Sequence, residues 1–160
     1  MRSLLLILLM LSVSAFGKDD HTISKSQVLN LISEYKQAPI SETGFSAVRK
    51  ILNFAETSKD VLVEVSPENT PWLTHQNVSD PIKGLLLGAY VVGNIEPQLI
   101  MSKKKSNHCS GAIEVARVIK LIVLPDAAAE IKLVELLNNN SMKQHQCSDL
   151  PLGRTLNNAE

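Results

Sequence analysis

An all-α fold, a single compact bundle of five or six helices around a buried central helix, is what the sequence predicts, and three observations carry that expectation. Apolar residues recur at helical spacing in several separate stretches. One of them, residues 81–101, is apolar nearly all round, as a helix buried on several sides must be. The one β-branched run, residues 61–65, has no second strand to pair with. The pattern also admits a short stack of helix pairs, although no internal repeat is detectable.

The first helix is expected after Ser24 or Ser26, either of which can cap it. Val28, Leu29, Leu31, Ile32 and Tyr35 fall on one face, and Pro39 ends it. The second runs from about Glu42 to Ser58, with Ser41 as the cap and Phe45, Val48, Ile51, Leu52 and Ala55 as the core stripe. Val61-Leu62-Val63-Glu64-Val65 reads as an extended or short helical crossing that buries Leu62 and Val65, with an edge-strand dimer as the other way to satisfy it. Residues 66–80, with two prolines and the sole tryptophan, Trp72, form the longest loop.

Asp80 followed by Pro81 is a strong start for the central helix, because the carboxylate caps free N–H groups and proline suits the first helical position. Gly84 and Gly88 leave room beside that helix, and Pro97, which cannot donate to the Gly93 carbonyl, predicts a kink or a break. A fourth helix is expected from about Ser110 to Ile122, before Pro125, with Glu114, Arg117 and Lys120 along its polar edge. A fifth, capped by Asp126, is expected to stop at Asn138-Asn139-Asn140.

Residues 1–17 have the layout of a secretory signal: a positive start at Arg2, an apolar run over residues 4–11, and small residues at Ser12, Ser14, Ala15 and Gly17. Cleavage after Gly17 fits best and cleavage after Ala15 is the alternative. The expected organisation is therefore signal peptide 1–17, flexible N-terminus 18–23, all-helical domain 24–140 and polar tail 141–160. The apolar run is shorter than the ~20 residues a span requires, so no membrane span is expected once the signal is removed. Periplasmic or secreted localisation follows.

Losing Arg2 leaves 15 basic against 16 acidic side chains, so no strong field steers a charged partner. With an aromatic share of 4%, the chain also lacks the stacking platform and basic surface of a nucleic-acid binder. No G-x-S-x-G elbow, H-E-x-x-H or phosphate-cradling loop is present, and His21, His75, His108 and His145 all fall in expected loops or termini. A carboxylate pair drawn from Glu64, Glu68 and Glu96 is what a hydrolase would have to use. No cofactor is implied.

Cys109 and Cys147 are the only cysteines, and an even count in an exported chain reads as one disulfide tethering the tail. The alternative is two free thiols, which with His108 and His145 make a metal set of unusual spacing. The residues singled out for binding are Trp72, as a lid or partner anchor, and Tyr90, Asn94, Glu96 and Gln98 around the expected kink, where polar groups often line sites. Opposing that reading, Asn94 and Gln98 could satisfy carbonyls freed by Pro97, and Tyr90 and Trp72 could be core aromatics.

Tyr90-Val91-Val92-Gly93 resembles the Tyr-x-x-Gly pattern that small, exported, all-helical immunity proteins against cell-wall amidase toxins carry on a core helix. The resemblance covers those four residues, and the further cysteines that accompany the pattern are missing. It implies a protein-inhibitor role and assigns no binding residue. The expected function is non-catalytic binding of another envelope protein; a carrier of a small apolar ligand or lipid is the second expectation, and a cell-envelope hydrolase the third.

Overall fold

The computed structural model describes residues 23–147 and contains five α-helices: α1 Lys25–Gln37, α2 Glu42–Thr57, α3 Asp80–Met101, α4 His108–Ile119 and α5 Ala128–Gln144. The expected signal peptide, residues 18–22 and the tail beyond residue 147 lie outside the described residues. The fold is an all-α bundle with α3 at its centre, packed most extensively on α4, while α1 and α2 form a second antiparallel pair against it. The core runs from Val28, Ile32 and Tyr35 on α1 through Leu86, Tyr90, Val92 and Ile95 on α3 to Val115, Val118 and Val134. By length and composition α3 could cross a membrane, yet most of it is buried by the other helices.

Local chemistry sets the helix starts. Ser24 accepts from the Gln27 backbone, and the Gln27 side chain answers the Ser24 N–H, closing a capping box. Ser41 takes the Gly44 N–H. For α3 the cap position is Ser79, not Asp80: the Asp80 carboxylate is almost wholly exposed in the first turn, where it favours the helix dipole without closing a cap bond. Asn107, which accepts from Ser110 N, begins α4 two residues before the expected start.

Four expectations are corrected. First, of the kink or break expected at Pro97 the break is absent, since α3 continues through it to Met101. Second, α5 does not stop at the asparagines, because Asn138 is buried with Nδ2 donating to the Ala112 carbonyl at 3.0 Å, and Ser141 Oγ donates to the Glu68 carbonyl. Third, residues 61–65 are extended but in the opposite phase: Val61 is buried while Leu62 and Val65 are 42% and 50% exposed. Fourth, α4 ends at Ile119, so Leu121, Val123 and Leu124 lie exposed outside the core.

Candidate functional site

The residues singled out around Pro97 converge, but inward. Asn94 and Gln98 are buried one turn apart on α3, and Gln98 Nε2 donates to Asn94 Oδ1 at 2.9 Å. The Gln98 amide then grips the backbone of Leu62 like a neighbouring strand, accepting from its N–H at 2.9 Å and donating to its carbonyl at 2.7 Å. Asn94 accepts from Asn107 N and donates to Ser106 Oγ, and that hydroxyl in turn accepts from Glu64 N. Tyr90 completes the clamp by donating to the Glu64 carbonyl at 3.1 Å. These side chains thus satisfy an extended segment and a helix start that lack a sheet to join.

This placement corrects the partner-contact assignment of Trp72, Tyr90, Asn94 and Gln98. All four are essentially without accessible surface, Trp72 being a plug under the loop that carries it. Glu96 alone of the five is part-exposed, and it forms an ion pair with Lys36 of α1. Gly93 lies where a side chain would strike the Ser110 carbonyl of α4, so in Tyr90-Val91-Val92-Gly93 the tyrosine clamps the extended segment and the glycine admits the backbone of α4.

Cys109 and Cys147 are bridged, with Cα atoms 5.2 Å apart. Beside the bridge the His108 and His145 rings lie 4.3 Å apart between centroids. His108 Nδ1 meets the Tyr90 hydroxyl at 3.3 Å and Nε2 meets Ser141 Oγ at 3.4 Å. Burial, reinforced by His145, pushes the His108 imidazolium down to about 4, so the ring is neutral at physiological pH. A serine beside a histidine invites comparison with a nucleophile and its base, but the Ser141 proton is held by the Glu68 carbonyl and a phenol, not an acid, orients the ring. The arrangement is a strut between α3, α4 and α5. Among the described residues no three His, Cys, Asp or Glu side chains group as metal ligands.

The open site is elsewhere, between the N-terminal halves of α2 and α3. A groove of about 850 Å³ is lined by Ile40, Phe45, Val48, Leu52, Ile82 and Leu85, with Leu124 at one margin. Phe45, expected in the core, is 44% exposed because the buried face of α2 is Gly44, Ala47, Ile51 and Phe54. A side chain at Gly84 would meet nothing within 4 Å, whereas the space beside Gly88 is taken by Val48. Tyr35 lines the groove, and its buried hydroxyl has no hydrogen-bond partner, while burial raises its pKa far above the usual phenol range. Glu42, Asp80 and Arg49 stand at the rim.

Leu124 also borders a second hollow of about 470 Å³, formed with Ile122, Val123, Pro125, Ala128 and Ile131, in which Val123 is 84% exposed. The two hollows share Leu124, and Glu42, Arg49, Asp80, Lys132 and Glu135 are the charged residues among those that line them. The sequence matches no protein-family model, and no curated protein or solved structure is significantly similar to it. Of this surface only Gly84 carried a sequence signal, as room beside an apolar helix. Phe45 stands in a periodic run that reads as core, and Ile40 and Leu124, outside any such run, gave none.

Proposed function

We propose that this chain is a non-catalytic binding protein of the cell envelope that holds a protein partner against the apolar surface formed by the α2–α3 groove and residues 121–124. The observation that carries the reading is the exposure of Ile40, Phe45, Val123 and Leu124 around two adjoining hollows. Contiguous exposed apolar surface of this kind is uncommon on monomers and marks interaction sites. The disulfide supports an oxidising compartment outside the cytoplasm, and the apolar N-terminal run supports export to the periplasm or beyond. An inhibitor or immunity-like role is one form this binding can take.

The test is substitution at the rim. Phe45→Asp and Leu124→Asp remove exposed apolar area without opening a cavity, so capture of the partner from an envelope extract falls while the melting temperature stays within a few degrees of wild type. Capture unchanged in the double variant overturns the proposal.

A further inference from the structure

Residues 61–65 present one edge to α3 and leave the other without hydrogen-bond partners among the described residues. In an extended chain the N–H and C=O of successive residues point to opposite edges. Leu62 and Glu64 face α3, their groups taken by Gln98, Ser106 and Tyr90. The backbone groups of Val61, Val63 and Val65 therefore point the other way, and among the described residues none of them has a hydrogen-bond partner. Val61 is buried, so the open stretch of this edge is Val63 and Val65, two donor–acceptor pairs in register on a β-branched run held from behind, and such an edge is the template to which an extended chain adds.

We propose that this outer edge is a strand-addition site for an extended peptide segment of a partner protein. The edge chemistry names the occupant. A helix has no free backbone groups to offer it, whereas an antiparallel strand exchanges two hydrogen bonds with each of Val63 and Val65. Leu62 and Glu64 project together from the solvent side and are both exposed. The strand that fits best thus carries β-branched residues opposite Val63 and Val65 and a lysine or arginine opposite Glu64, where a cross-strand ion pair forms. The proposal does not depend on the α2–α3 groove, and its success or failure leaves that reading untouched.

The experiment is amide hydrogen exchange of the disulfide-bonded chain with the synthetic peptide Lys-Thr-Val-Lys-Val-Thr-Val-Lys. In the free protein the Leu62 and Glu64 amides are protected and those of Val63 and Val65 exchange fast. Saturating peptide slows the Val63 and Val65 amides by about tenfold or more, and the same peptide N-methylated on its valines does not. Glu64→Lys weakens the unmethylated peptide about threefold, the size of a cross-strand charge pair. Equal effects of the two peptides, or no protection of the valine amides at millimolar peptide, overturn the proposal. Concentration-dependent protection of the same amides without peptide also overturns it, by putting a second copy of the chain in the partner's place.

Discussion

Replacing Gln98 with leucine is the sharpest probe of the polar clamp. The volume changes little, so the substitution removes hydrogen bonds and leaves packing nearly intact. Gln98 makes two bonds to the Leu62 backbone and donates to Asn94 Oδ1. At about 1 kcal/mol net for each, the loss is about 3 kcal/mol. Part-exposed Leu62 can recover some hydration, which lowers the figure, while the buried Asn94 carbonyl oxygen left with one donor fewer raises it. For a domain of ordinary stability, about 3 kcal/mol is a large fraction and still leaves the chain folded.

Urea titration followed by tryptophan fluorescence reads this directly, because Trp72 is the sole tryptophan and is fully buried. Gln98→Leu lowers the midpoint with an unchanged slope, and the Leu62 amide loses its exchange protection. Glu96→Ala, on the same helix but in a part-exposed ion pair with Lys36, costs under about 1 kcal/mol. A Gln98→Leu variant no weaker than Glu96→Ala, with Leu62 still protected, would refute the clamp.

Further outcomes follow from the same coordinates. Gly84→Ala gains about 1 kcal/mol of helix propensity in thermal melts, because its Cβ meets nothing, whereas Gly93→Ala loses several, because its Cβ would lie 2.4 Å from the Ser110 carbonyl oxygen; equal effects would contradict the packing of α3 on α4. His108 is held neutral, its pKa lowered from 6.5 to about 4, so the native state binds fewer protons than the unfolded chain there. Its contribution is therefore whole above pH 6.5 and drains as pH falls towards 4, a loss of about 1–2 kcal/mol after allowance for partial solvent exposure. Urea midpoints that stay flat between pH 7 and 4 in the wild type, or fall as steeply in His108→Gln, would contradict it. Reducing the bridge between Cys109 and Cys147, 38 residues apart, removes about 4 kcal/mol in the chain-entropy picture, seen as a drop in melting temperature with reductant that Cys109→Ser reproduces.

What the sequence made legible was local. Ser24 with Gln27, Ser41 before Glu42, and the apolar periodicity of α1 and α3 carry their own instructions, and the cysteine count pointed to the bridge. What it hid depends on partners far along the chain. Whether Leu62 faces in or out is decided by Gln98, 36 residues away, and the asparagines of α5 stay helical because Ala112 and Glu68 offer carbonyls to Asn138 and Ser141. Polar residues near a proline look alike whether they line a site or serve the backbone, so Asn94 and Gln98 could not be sorted by spacing. Phe45 was misread for a related reason: periodicity marks an apolar stripe but not which residues at its margin lose their cover, and α2 turns its Ala47–Ile51–Phe54 edge to the core.

Site-specific photocrosslinking in the native host tests the central claim most directly. A benzophenone side chain is carried in turn at Ile40, Phe45 and Leu124, with Ile100, equally apolar and 65% exposed at the far end of α3, as the control. The account predicts one protein adduct of the same mass from the three groove positions and none from Ile100. Adducts from Ile100 alone, or none from the groove with the partner present, would contradict it.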